Sequence, residues 1–149
     1  MTQLTTHFTL EEFTLSQNAA RAGVGNIPAE GSHARVNLHR TAETMEKVRG
    51  ILDNHPILIS SGYRSPKVNM MAGGSKNSAH THGLAADFTC PDFGTPLEIC
   101  QELEPRMAEL EIDQLIYEYK TWVHLGLRDS NPRHQALTID ITGTRPGFD

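Results

Sequence analysis

A ten-residue segment with two histidines and one aspartate most limits how this chain can fold. It spans residues 78–87 and reads Ser-Ala-His-Thr-His-Gly-Leu-Ala-Ala-Asp. His80 and Asp87 lie seven residues apart, a spacing that excludes neighbouring positions on one helical face. Gly83 suits a tight turn because it has no Cβ atom, and residues 84–89 are typical of a short apolar strand. The segment therefore predicts a loop with His80, a turn at Gly83 and a strand with Asp87.

A second group of polar side chains lies downstream, where Glu118 precedes His124. His80, Asp87 and His124 are three candidate ligands for a first-row metal ion, and Glu118 is a free carboxylate. Zinc hydrolases combine three protein ligands, one position open for water and a general base. Two histidines and a carboxylate also suit manganese or cobalt. The alternatives are a hydrogen-bonded structural pair of His80 with Asp87, and a solvated surface glutamate at position 118.

The register of a hairpin joining Glu118 to His124 decides whether both side chains face one metal ion. Directly opposed residues of an antiparallel pair share a face, with Cβ atoms about 4.5–5.5 Å apart. A loop of residues 120–122 puts Glu118 opposite His124, whereas a two-residue turn at 120–121 turns His124 to the other face. A shared metal role therefore predicts an odd-length loop or a bulge.

Two neighbours of His80 are further candidates. In an extended segment His82 shares the side-chain direction of His80, so it is either a second chelating histidine or a residue that lines the pocket. Ser78 can hydrogen-bond the loop or orient a ligand histidine. The other histidines lie outside any ligand spacing and are expected to be surface or packing residues: His7, His33, His39, His55 and His134.

These motifs resemble the zinc D-alanyl-D-alanine carboxypeptidase family, part of a wider group with lysostaphin-type enzymes and the hedgehog signalling domain. The family pattern Ser-x-His-x-x-Gly-x-Ala-x-Asp fits Ser78, His80, Gly83, Ala85 and Asp87. Three further segments match in order: residues 60–65, 113–118 and 122–124. The chain looks most like small single-domain members encoded by bacteriophages and prophages. The resemblance runs from His7 to about Ile141.

The resemblance implies a role for each site residue. It makes His80, Asp87 and His124 the ligands of one Zn²⁺ per chain and Glu118 the residue that acts on the metal-bound water. Some relatives place the catalytic acid three residues before the last histidine, where this chain has Thr121; a threonine cannot act as a base at neutral pH. Arg64 matches the arginine that faces the substrate, and its alternative role is a salt bridge that steadies the turn at Tyr63.

The resemblance also implies a substrate, the stem peptide of bacterial peptidoglycan. The expected activity is that of a zinc metallopeptidase of the phage lysin type, either a D,D-carboxypeptidase or an endopeptidase. Expected substrate-binding residues are Arg64, Ser78, Tyr63 and His82. The alternatives are a zinc-binding module without hydrolytic activity, as among hedgehog-type relatives, and a virion-associated structural protein.

Composition limits the partners. The net charge of −5 disfavours nucleic acid, because no basic stripe neutralises phosphates. No apolar run approaches the roughly 18 residues of a membrane span, and no basic start followed by an apolar core marks a secretory signal. A monomer is expected, made in the host cytoplasm and acting on the cell wall after release. Cys90 and Cys100 are expected to be reduced thiols, with a disulfide as the alternative.

The chain predicts one α+β domain over residues 1–149, with a small antiparallel sheet that carries the metal site and helices packed on one side. Capping boxes at Thr9 and Thr95 begin two helices, the second reaching about Leu110. A long helix is expected over about 34–53 and a brief one from Pro66. The remaining predictions are a buried strand at 56–60, strands at 114–119, 122–127 and 135–141, a loop at 72–77 on the substrate side, and a loose tail at 143–149.

Overall fold

The computed structural model describes residues 1–149 and has an α+β architecture, as predicted. Its helices are α1 (Leu10–Thr14), α2 (Gln17–Ala22), α3 (His33–Ile51), α4 (Pro66–Met71) and α5 (Pro96–Leu103), with 3₁₀ turns at Ala79–His82 and Glu104–Arg106. Its strands are β1 (Leu58–Ser61), β2 (Ala85–Thr89), β3 (Gln114–Glu118), β4 (Trp122–Gly126), β5 (Gln135–Asp140) and β6 (Gly143–Pro146).

The six strands form one sheet in the order β1-β2-β4-β3-β5-β6. Every neighbouring pair is antiparallel except β3 and β5, which run parallel. The expected antiparallel sheet is therefore present and is extended by a parallel strand. Strands β2, β4 and β3 lie side by side in its centre, where three of the candidate site residues are located.

Local sequence signals determine where the helices begin and end. Both predicted capping boxes form. The Thr9 and Thr95 side chains each accept a hydrogen bond from the backbone N–H of the third helical residue. The side chains of those residues, Glu12 and Glu98, accept in return from the backbone N–H of Thr9 and Thr95. Helix α5 ends at Leu103 and not near Leu110, because Pro105 has no backbone N–H with which to continue the helical hydrogen bonds. Residues Glu104–Arg106 continue only as a 3₁₀ turn.

The hydrophobic core lies on one face of the sheet, under α3 and α5. Alternate residues of the central strands enter it: Ala86, Phe88, Leu115, Tyr117, Val123 and Leu125. Because neighbouring side chains on a strand point to opposite faces, Asp87 and His124 are directed to the other face. None of the helices is both long and apolar enough to cross a membrane.

Gly83 makes the predicted turn before β2. Its φ of 72° lies in the left-handed region, where a side chain is strained. An added Cβ would collide with the carbonyl oxygen of Ala34 in α3, so close packing also requires glycine here. The Thr41 hydroxyl donates to the Gly83 carbonyl at 2.7 Å and ties the 3₁₀ turn of His80 to α3.

Two predictions about the ends of the sheet are wrong. The strand expected to be buried, β1, is one of the two edge strands, and Leu58 is 56% exposed. The expected loose tail contains β6, which pairs with β5. Arg145 of β6 contacts Asp140 at 2.8 Å and Asp149 at 2.6 Å, and these ion pairs join the tail to the sheet.

The two cysteines match the expectation of reduced thiols. Cys90 and Cys100 are both buried and free. Burial raises the pKa of the Cys100 thiol to about 12, so this thiol stays protonated and packs as a small apolar side chain.

Candidate metal centre

The sheet brings Asp87 and His124 together by direct pairing. Asp87 of β2 lies opposite His124 of β4, and Nδ1 of His124 is 2.8 Å from Oδ1 of Asp87. The 3₁₀ turn adds His80, whose Nε2 is 3.3 Å from the same oxygen. All three side chains are buried, and their candidate donor atoms lie within 4.8 Å of one another. Two imidazole nitrogens and a carboxylate oxygen at this separation fit a tetrahedral zinc site.

Hydrogen bonding determines which nitrogen of His80 faces the group. Nδ1 of His80 is 2.6 Å from the Gly62 carbonyl oxygen. A carbonyl only accepts, so Nδ1 carries the proton and Nε2 presents its lone pair toward Asp87. This is the arrangement by which outer partners fix a ligand histidine. His80 is therefore suited to bind a metal through Nε2, and His124 through Nδ1.

The three buried groups shift one another's pKa values. Burial lowers the pKa of His80 and outweighs the charge of Asp87. Burial is the largest single effect on His124 and acts to lower its pKa. The hydrogen bond to Asp87 and the negative charges of Asp87 and Glu118 together outweigh burial, so the pKa is raised. The pKa of Asp87 lies below its ordinary range, because the two histidines outweigh burial. Asp87 is thus an anion at neutral pH, as metal binding requires.

Glu118 shares the metal-facing side of the sheet. The loop of residues 119–121 has three residues, the odd length predicted, but Glu118 pairs with Trp122 while His124 pairs with Ile116. Glu118 is therefore diagonal to His124 and not opposite it, and its Oε1 is 3.8 Å from Nδ1 of His124. Burial raises the pKa of the Glu118 carboxyl above its ordinary value, as suits a general base.

Arg64 is anchored at the edge of the group by three contacts. Its Nε donates to Oγ of Ser61 at 3.1 Å and its Nη1 to Oδ1 of Asn69 at 3.4 Å. Its Nη2 is 3.5 Å from Oδ2 of Asp87. A guanidinium has five N–H donors, so these three contacts leave two donors available for another acceptor. Arg64 thus contacts a candidate ligand, and its salt bridge is made with Asp87.

Asn69 is a site residue that no sequence signal distinguished. It is buried on α4, and its amide also donates to the Ser75 carbonyl at 2.7 Å. One side chain thus connects Arg64 to the glycine-rich loop that follows α4. Only the packing of that loop against the helix reveals the connection.

The other predicted residues lie around this group but outside it. Oγ of Ser78 accepts from the His80 N–H at 3.2 Å and so caps the 3₁₀ turn. His82 lines a neighbouring cavity, and its side chain is not part of the ligand group. Tyr63 lies behind Arg64 in a cavity beside β1.

The candidate ligands open into a cavity of about 410 Å³. Its walls carry Glu118 and Arg64, and its rim includes Gly73, Gly74 and Ser75. The loop expected on the substrate side therefore lines this cavity. A buried ligand group, a neighbouring carboxylate and a guanidinium all face the same space, as a hydrolytic site requires.

The fold and this site define a class of protein: an α+β hydrolase domain whose sheet and adjoining 3₁₀ turn hold a His-Asp-His group beside a glutamate, as in metallopeptidases. The family model for Peptidase M15 matches residues 6–126, and the chain belongs to this family of zinc-dependent metallopeptidases. The match includes every candidate ligand and Glu118, and the resemblance to the D-alanyl-D-alanine carboxypeptidase family is confirmed. Comparison with curated proteins finds no match.

Proposed function

We propose that residues 1–149 form one zinc peptidase domain that hydrolyses a peptide bond in the stem peptide of bacterial peptidoglycan. The observation that carries the proposal is the position of Glu118, 3.8 Å from His124 and in the same cavity as the three candidate ligands. Membership of the M15 peptidases supports the reaction class. The likeness to small phage-encoded members supports a lysin role.

The candidate ligands and Glu118 have different chemical roles in the proposed reaction. When bound by His80, Asp87 and His124, one zinc ion supplies a Lewis acid and lowers the pKa of water to about 7. Glu118 accepts a proton from the attacking water and returns it to the leaving amine. Its raised pKa brings its proton affinity closer to that of the groups with which it exchanges protons.

Arg64 is proposed to bind a substrate carboxylate. Its contacts with Ser61, Asn69 and Asp87 hold the guanidinium in one orientation. The two N–H donors that stay free can receive a carboxylate, which is the geometry arginine provides best. Stem peptides carry such carboxylates, so this role gives the anchored arginine a chemical purpose.

The neighbouring cavities favour a bond inside the peptide over its terminal bond. A cavity of about 460 Å³ shares Asn77, Ala79 and Gln114 with the metal cavity. A second cavity, of about 400 Å³, shares Arg64 with the metal cavity. Space that continues beyond the metal cavity at two places accommodates a chain that extends past the scissile bond.

Peptide release from purified peptidoglycan tests the function directly. The protein is assayed as purified, after chelation, and after zinc is returned, and the products are identified by mass spectrometry. Zinc-restored release of fragments with two or more residues supports the internal bond, and release of free alanine alone indicates the terminal one. No release, with one zinc bound per chain, would make a non-hydrolytic zinc-binding or virion-associated protein the better interpretation.

The variant Glu118→Gln isolates the catalytic step. We expect hydrolysis to fall about 10²–10⁴-fold, the usual contribution of a general base, while one zinc per chain stays bound. Glu102→Ala, on the exposed surface of α5, is the matched control and should retain full activity. Undiminished hydrolysis by Glu118→Gln would remove Glu118 from the mechanism.

A further inference from the structure

Trp122 has a buried polar atom without a hydrogen-bond partner. Among buried side-chain nitrogen and oxygen atoms, only its Nε1 has no hydrogen-bond partner. Buried donors are nearly always paired, because an unpaired one loses its hydration without compensation. Trp122 is also the only tryptophan of the chain. An indole N–H in this situation needs an acceptor within reach of its side chain.

The strand register identifies that acceptor. Trp122 lies directly opposite Glu118, so the two side chains share a face and are nearest neighbours across the strands. Glu118 lines the metal cavity whereas Trp122 does not, so the indole lies beside Glu118 and outside the cavity. The Tyr119 ring, 5.6 Å away between centroids, packs against the indole and limits its movement.

We propose that Trp122 is a positioning residue whose indole N–H donates to one oxygen of Glu118 and leaves the other oxygen facing the metal cavity. The role rests on the proposed function, in which Glu118 is the general base. A glutamate side chain has three rotatable bonds, so its carboxylate needs a fixed partner to hold one orientation. A donor bonded to a carboxylate forms one of the stronger hydrogen bonds in proteins.

Two observations agree with a short-range link between these residues. The indole N–H is among the groups that favour the ionised form of Glu118, although burial and other charges act on it more strongly. Oε1 of Glu118 is already 3.8 Å from Nδ1 of His124. Because this oxygen lies beside a candidate ligand, the other oxygen of Glu118 is the one available to the indole N–H of Trp122.

The single indole N–H makes the contact measurable without an activity assay. A ¹⁵N-labelled sample gives one indole resonance, which we expect to lie downfield and to exchange slowly with solvent. In Glu118→Ala the resonance should move upfield and exchange faster, with and without zinc. Glu102→Ala is the control and should leave it unchanged. A resonance that does not respond to Glu118→Ala would overturn the proposal.

Kinetics then separate positioning from folding. Trp122→Phe keeps an aromatic ring and removes the donor; we expect kcat to fall about tenfold, as for one hydrogen bond to a charged group, with KM and bound zinc unchanged. In a protein that already carries Glu118→Ala, the same substitution should not lower kcat further. An equal loss in both backgrounds would indicate packing only, and the proposal would fail.

The two proposals fail separately. If the unmodified protein does not hydrolyse peptidoglycan, the proposed function is wrong, and the indole resonance still decides whether Trp122 bonds to Glu118. If the protein hydrolyses peptidoglycan while Trp122→Phe keeps the full kcat, the function holds and the role of Trp122 is overturned.

Discussion

At the scale of single residues, the orientation of His124 depends on a glycine two positions further along β4. A Cβ atom on Gly126 would lie 3.1 Å from Nε2 of His124, closer than ordinary van der Waals contact. We expect Gly126→Ala to tilt the imidazole and to weaken zinc binding about 10–100-fold, the usual cost of disturbing a residue that orients a ligand. Competition with a chromophoric chelator measures the dissociation constant.

The matched control is Gly50→Ala. Gly50 lies in α3, where an added Cβ meets no atom within 4 Å, so zinc affinity should not change. Circular dichroism should be the same for both variants and the unmodified protein. Equal zinc affinity in Gly126→Ala and the unmodified protein would contradict the orienting role.

The three candidate ligands could be anticipated from sequence because their spacing and residue types are themselves the signal. Arg64 could be anticipated as a site residue, but its contact with Asp87 could not, because the two residues meet only after β1 and β2 pair. Asn69 could not be found at all. Its importance comes from one hydrogen bond to Arg64 and another to Ser75, and an asparagine on a short helix carries no pattern that predicts either.

At the scale of elements, hydrophobic periodicity and helix caps predicted most helices and the central strands. The sequence did not predict where each strand lies within the sheet. The apolar residues that suggested a buried strand at 56–60 form an edge strand, because a short apolar run does not reveal how many neighbours a strand has. The glycine and proline residues of the C-terminal segment suggested a tail. There, Arg145 bonds to Asp140 and Asp149, and these contacts between charged residues were not foreseeable.

The segment that leads from β4 into the parallel strand β5 is fastened by one ion pair. Asp113, just before β3, accepts from the backbone N–H, Nε and Nη2 of Arg133 at 2.8, 2.9 and 2.7 Å. The hydrogen bonds from Arg133 lower the pKa of Asp113. Because the folded-state pKa is the lower one, this stabilisation is complete above the unfolded value of about 3.9. It is lost as the pH falls through the folded value.

We therefore expect Asp113→Asn to reduce the free energy of unfolding at pH 7 by about 1–2 kcal/mol. This value is below that of a fully buried ion pair, because Arg133 is half-exposed and solvent screens its charge. The difference from the unmodified protein should shrink below about pH 4. Urea denaturation at pH 7 and pH 3 gives both values. Asp92→Asn, on the exposed surface, is the control and should have no effect. A difference of equal size at both pH values would exclude the ion pair as the cause.

At the scale of the whole molecule, the two faces of the sheet have different roles: one packs in the hydrophobic core and the other carries candidate site residues. Its core face packs under α3 and α5 in a cluster of 25 buried hydrophobic residues. Its other face carries Asp87, His124 and Glu118, and the 3₁₀ turn brings His80 beside them. Alternation along β2 and β4 directs Asp87 and His124 to this face, and backbone pairing of the two strands holds these two candidate ligands. His80 is held by the 3₁₀ turn, whose Gly83 carbonyl accepts from Thr41 of α3. Two of the three candidate ligands are thus built on the rigid sheet.

This separation predicts how the whole chain responds to zinc. Since the core does not include the ligand group, the chelated protein should stay folded and unfold cooperatively. Zinc at 100 times its dissociation constant should add about 2.7 kcal/mol, which for a chain of this length raises Tm by about 5–10 °C. Differential scanning calorimetry with chelator and with added zinc measures the shift.

Two variants determine what the zinc-dependent shift in Tm reports. Asp87→Asn removes the only anionic ligand and should abolish the shift, whereas Glu118→Gln should keep it, because Glu118 is placed beside the metal and is not a ligand. Loss of the shift in Glu118→Gln would make Glu118 a fourth ligand and leave no open position for water. A shift that survives in Asp87→Asn would mean that zinc binds elsewhere on the chain. The assignment of three ligands and one base therefore depends on the opposite behaviour of two carboxylates that face the same cavity.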